Sequence, residues 1–179
     1  PSRQAYVAEY VEGVIDNRMD ELACFAGGMF ALAAMEMGDD AIAGHRKEFG
    51  KIAQELTTTC YYMWSKQDSG LAPESVDFPG GGDFTNGPAQ FLLRPETLES
   101  IFYVYRLTKN ETYRDWGWEL FSAMRQYCRV PSGGYTGVTN VGIVPVEPDD
   151  VMQSFFLAET MKYLYLLFSD DSLLPLNEW

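Results

Sequence analysis

The sequence predicts an all-α fold, helices paired antiparallel around one core, with short β-hairpins in the connections. Three observations predict it. Apolar positions recur at helical spacing in five segments, polar or glycine-rich loops separate them, and the last segment is hydrophobic nearly all round. At 179 residues the chain can bury one substantial core, and nothing in it forces a second domain.

Taken in order, residues 5–19 are rich in Val and Tyr and broken by Glu12-Gly13, which reads as two short strands and a turn. From Asp20 the period changes. Leu22, Phe25, Ala26, Met29, Phe30 and Ala33 fall at helical spacing, with Asp20 as a cap and Gly38 as a stop. Residues 45–65 repeat that spacing through Phe49, Ile52, Ala53, Leu56, Cys60 and Met63. Residues 66–90 carry five glycines and three prolines and read as one long loop, a place where function often lies. Helices follow at 96–108 and 113–128, the second with Trp116, Leu120, Phe121 and Met124 on one side. Residues 131–142, PSGGYTGVTNVG, give a glycine-rich turn or hairpin. Residues 150–168 form the last helix, which its apolar character places at the centre.

Charge and composition narrow the function. Twenty-six acids stand against 13 bases, a formal net charge of −13, a field that repels phosphate backbones and disfavours nucleic acid as a partner. Aromatic residues make up 15%. Beside carboxylates, aromatic faces suit sugars, whose C–H faces stack while their hydroxyls are hydrogen-bonded. No apolar run approaches the ~20 residues that span a bilayer. The chain begins Pro1-Ser2-Arg3, as a segment of something longer would. Three cysteines, Cys24, Cys60 and Cys128, fit either one disulfide with one free thiol or three buried thiols. Asn110-Glu111-Thr112 is an N-glycosylation sequon in a polar turn, and points towards the secretory pathway.

The chemistry concentrates in residues 91–110, FLLRPETLESIFYVYRLTKN. Pro95 suits the first helical position, where its missing N–H would be unpaired anyway. Glu96 then lies in the first turn, where the helix dipole favours negative charge, and Glu99 follows at i+3 on the same face. Arg94 offsets their repulsion. Charge and spacing alone favour an ordinary helix start with solvated glutamates. In the last helix, Glu159 stands among Phe155, Phe156, Leu157 and Leu164, where a carboxylate needs a partner, a cavity or a metal site.

FLLRPETLES, PSGGY, MDELACFAGGMFAL and QSFFLAETMKYLYLLFSDDSLLPLNEW together resemble glycoside hydrolase family 47, the class I α-1,2-mannosidases of the secretory pathway, over essentially the whole chain. The resemblance implies an inverting glycosidase that trims α-1,2-linked mannose from high-mannose N-glycans in the endoplasmic reticulum or Golgi lumen. It implies an (αα)7 barrel with calcium at its base, of which residues 1–179 would be the C-terminal segment of one catalytic domain. Carried over residue by residue, Glu96 matches the general base that activates water, and Arg94 and Pro95 its neighbours at the floor of the mannose subsite. Glu99 and Glu159 match acids near the sugar. With Glu96, they match groups that touch calcium only through its bound waters. Phe155 matches the aromatic that lies against the mannose, Glu21 a substrate-contacting position that many relatives fill with histidine, and Cys24 and Cys60 the disulfide pair.

The same resemblance puts the acid-side carboxylates before Pro1 and calcium's threonine ligand just beyond Trp179. On that expectation the chain needs the remainder of its own domain and is inactive alone. A mannose-glycan-recognising relative without hydrolysis is the alternative, and a ligand-free helical scaffold a third. The scaffold is disfavoured because acids occupy positions that packing would fill with apolar residues.

Overall fold

In the computed structural model the structure describes residues 4–36, 44–79 and 83–178. Among these, helices dominate and short strands connect them, as the periodicity predicts. Strands β1 (Glu9–Val11) and β2 (Val14–Asp16) form an exposed antiparallel hairpin, Val11 facing Val14. Its two turn residues, Glu12 (φ 50°) and Gly13 (φ 87°), both take the left-handed conformation that matches the twist of a two-residue hairpin.

Strand β3 (Arg18–Asp20) leads through a 3-10 turn, Glu21–Cys24, into helix α1 (Phe25–Glu36). The expected stop at Gly38 lies outside the described residues. Helix α2 (Arg46–Ser65) follows the predicted span within a residue, and the Cys24–Cys60 disulfide joins it to the turn before α1. Cys128 is free and buried, and burial pushes its thiol up to about 12.

The apolar spacing of α1 does not mark one buried stripe. Leu22, Phe25 and Met29 are exposed, whereas Ala26, Gly27, Gly28, Ala31 and Ala34 are buried. The small residues face the packing because α1 lies close against α2 and α3. A Cβ on Gly27 would meet Thr57 Oγ1 at 2.4 Å and Ser100 Oγ at 3.0 Å, and one on Gly28 would meet Tyr103 Cδ2 at 2.9 Å.

Residues 66–90 are not one loop. They contain β4 (Ser75–Asp77) and β5 (Thr85–Asn86), which join β3 in a three-stranded antiparallel sheet of order β3-β4-β5. Strands of two or three residues are too short for alternation to be read from sequence. The sheet matters because it delivers chain to the start of helix α3 (Glu96–Thr108), which packs against α1, α2, α4 (Thr112–Tyr127) and α5 (Met161–Phe168). Around it Trp64, Phe91, Phe102, Leu98 and Phe156 are almost completely buried.

Residues 131–142 turn back through isolated bridges, with Val138 paired to both Phe91 and Pro148. The last helix departs most from expectation. It begins only at a π-helical turn, Phe156–Thr160, that continues into α5. The preceding chain is held out of the helix locally: Asp149 accepts from the Thr136 hydroxyl at 3.0 Å and the Val151 N–H at 2.9 Å, and Asp150 takes φ 61°. Nor is this helix central, since Leu157, Tyr165 and Phe168 are exposed. The centre is α3.

Candidate active site

The N-terminus of α3 is where the sequence-predicted residues meet. Pro95 sits one position earlier than expected, as the residue that caps the helix, and Glu96 opens the first turn. Just before it, Leu93 is fully buried with φ 60°, a conformation that costs a non-glycine residue roughly 1–3 kcal/mol and persists only where packing fixes it. Its carbonyl accepts from Thr160 Oγ1 at 2.7 Å, tying the Arg94 segment to the π turn that carries Glu159. Single π turns recur at functional sites.

Arg94 is clamped by a residue that sequence reading missed. Its Nε donates to both carboxylate oxygens of Glu74 at 2.9 Å, and Nη2 donates to Oε2 at 2.7 Å. This bidentate pairing, more than its nearness to Glu96 and Glu21, holds the guanidinium charged. Glu74 comes from the segment before β4, and its carbonyl accepts from the Glu21 N–H at 2.8 Å. The guanidinium carbon of Arg94 stands 5.9 Å from the centre of the half-buried Phe155 ring.

Three further carboxyls surround this pair. Glu96 is half-buried, and its Oε2 is enclosed without a hydrogen-bond partner. Glu99 accepts from the Tyr163 hydroxyl at 2.8 Å; burial above all, then Glu96 and Glu159, raises its carboxyl above the usual range. Burial, then the same bond, raises Tyr163 in turn. Glu159 is half-buried and close enough to add its charge to both. Glu96, Glu99 and Glu159 therefore form one electrostatic cluster at the ends of α3 and α5, with Arg94 and Phe155 beside it. Glu74 and Tyr163 were not legible as site residues. Each acts on a partner far away in sequence, and neither sits in a local pattern.

Glu21, expected at a substrate-contacting position, lies buried beside the start of α3. It is 1% exposed, so its carboxyl meets protein and not solvent. Oε1 accepts from Thr97 Oγ1 at 2.8 Å and Thr97 N–H at 3.3 Å, inside the first turn of α3. Burial, then the charge of Glu96, pushes its carboxyl well above the usual carboxylate range.

The calcium that the resemblance implies finds no direct ligand set here. Among the described residues no group of three or more His, Cys, Asp or Glu side chains could hold a metal ion. Calcium takes six to eight oxygens, and this cluster offers acceptors for bound water instead of a coordination sphere. Asn110 is exposed in the turn between α3 and α4, its Oδ1 accepting from the Thr112 N–H at 3.1 Å. No described helix is long and apolar enough to cross a membrane.

Comparison with known proteins gives the chain its relatives. The chain is 47% identical over 183 residues to mannosyl-oligosaccharide alpha-1,2-mannosidase IA of Spodoptera frugiperda, covering 100% of this chain and 27% of the relative. It is 44% identical over 188 residues to the human endoplasmic reticulum mannosyl-oligosaccharide 1,2-alpha-mannosidase, covering 100% of this chain and 26% of that protein. The chain thus spans roughly a quarter of the length of these relatives. Its structure resembles the alpha-1,2-mannosidase from Trichoderma reesei with a TM-score of 0.83 at 26% identity, over 94% of this chain and 37% of that one. The family model for glycosyl hydrolase family 47 matches residues 1–179, and the chain belongs to that family.

Proposed function

We propose that this chain supplies the general-base side of an inverting α-1,2-mannosidase that removes terminal mannose from high-mannose N-glycans, as the C-terminal part of one (αα)7 barrel. The observation that carries the reading is the gathering of Arg94, Glu96, Glu99, Phe155 and Glu159 at one helix start in a member of this family. Glu96 is the base. The α3 dipole and Arg94 favour negative charge at its position. Its carboxylate takes a proton from water as the water oxygen bonds to the anomeric carbon. The glycosidic C–O bond breaks on the opposite face, and the leaving oxygen is protonated by an acid from outside this chain. Phe155 lies against the sugar, and Arg94 and Pro95 form the floor beneath it. Glu99 and Glu159 receive hydroxyls or bound waters. Calcium would be held mainly by groups beyond this chain, so none of these steps runs through it.

Glycan recognition without hydrolysis is less favoured, since both relatives and the solved structure are named as mannosidases. Work in the lumen of the endoplasmic reticulum or Golgi is supported by the Cys24–Cys60 disulfide, the exposed sequon at Asn110 and the relative named for the endoplasmic reticulum.

The test is Glu96→Gln in the full-length protein that carries this segment. Loss of a general base lowers kcat by about 10²–10⁴-fold, with glycan binding little changed. Turnover near that of the unaltered enzyme would reject the assignment.

A further inference from the structure

The Glu21 carboxyl is buried away from solvent, yet it lies against the residue on which the chemistry depends. Its backbone N–H is fixed by the Glu74 carbonyl, so it is held from the same segment that clamps Arg94. Its Oε1 takes two hydrogen bonds from Thr97, the residue immediately after Glu96. Its Oε2 is enclosed and finds no protein donor, and Glu96 Oε2 is enclosed without a partner as well. The two carboxyls adjoin closely enough for a hydrogen bond between their side chains. A helix start normally leaves its first N–H groups to a cap from the preceding residue, but Pro95 has no side-chain acceptor and makes no cap bond. A side chain from 76 residues away in sequence does that work instead.

We propose that Glu21 is a positioning residue for Glu96: it caps the first turn of α3 through Thr97 and, from the other oxygen, fixes the direction in which the Glu96 carboxyl points. This rests on the assignment of Glu96 as the base. A base displaced by about 1 Å can lose some 10²-fold in rate without any change in what the sugar touches. The role therefore differs from substrate contact in which kinetic constant it moves. Glutamine preserves it, because its amide oxygen can accept from Thr97 while its NH₂ donates towards Glu96.

The experiment compares four variants with the unaltered full-length enzyme on a high-mannose glycan. Glu21→Ala is expected to lower kcat by about 10–100-fold with KM nearly unchanged, and Glu21→Gln to restore kcat to within a few-fold. Thr97→Val, which removes only the hydroxyl donor, is expected to lower kcat several-fold. It carries the comparison if Glu21→Ala does not fold. A raised KM at normal kcat, normal kcat in both Glu21→Ala and Thr97→Val, or a Gln variant as slow as Ala overturns the proposal. Glu96→Gln separates the two claims. If Glu96→Gln turns over normally, the base assignment fails. If it is inactive while Glu21→Ala is normal, only the positioning role fails.

Discussion

Removing the Glu74 carboxylate would leave the Arg94 guanidinium, whose side chain is only 18% exposed, without its bidentate acceptor. Hydrogen bonds to charged groups are worth about 1.5–3 kcal/mol, and the half-buried setting keeps this one from being screened away. Glu74→Ala should therefore lower unfolding stability by about 1–3 kcal/mol and weaken the contact between Arg94 and Phe155; an unchanged denaturation midpoint would count against the clamp. At this scale the sequence was legible where residues that act together are also neighbours in the chain. Arg94, Pro95, Glu96 and Glu99 lie within six positions and could be read as a unit. Glu74 reaches Arg94 across 20 residues and Tyr163 reaches Glu99 across 64, and no local spacing announces either. Glu21 was legible as important through the family pattern, but only its burial distinguishes a residue behind the base from one that touches sugar.

Among the elements, α1 and α3 approach more closely than large side chains would permit. The Gly28 N–H donates to Ser100 Oγ at 2.7 Å, and the Ser100 hydroxyl in turn donates to the Cys24 carbonyl, so the contact is made of backbone and small polar groups. Gly27→Ala would push its methyl into Thr57 and Ser100, both buried, where overpacking costs about 1–3 kcal/mol. A lowered thermal midpoint is the expected result, and a stability equal to the unaltered protein's would show that the crossing can yield. Periodicity gave α2, α3 and α4 within a residue; α2 and α4 each set a buried face against a polar one, whereas α3 has no exposed residue and its apolar positions still keep helical spacing. It failed for the last helix because continuous apolarity says nothing about where a helix starts. That start is set by Asp149 and the left-handed Asp150, which hold residues before Phe155 in another conformation.

Across the molecule, large apolar side chains stay exposed at Leu22 in the turn before α1, at Phe25 and Met29 on α1, and along α4 and α5 at Trp118, Tyr165 and Phe168. Between the last two helices, Trp118, Tyr165 and Phe168 line an apolar cleft of about 370 Å³ with Phe121, Met161 and Leu164. Exposed apolar surface of that extent marks a face that meets another surface. Since the chain spans 27% of the length of its Spodoptera frugiperda relative, we propose that the remainder of the same catalytic domain covers these faces. The ring closure that the family resemblance implies would be a property of that whole, and no spacing within these helices announces it.

The central claim is that Glu96 activates water in an inverting hydrolysis. It is tested most directly by the anomeric configuration of the first mannose released from an α-1,2-linked substrate by the full-length protein, followed by NMR before mutarotation. Attack by a Glu96-activated water from the opposite face predicts β-mannose as the first product, absent with Glu96→Gln. Release of α-mannose first, or tight glycan binding with no release at all, would contradict it.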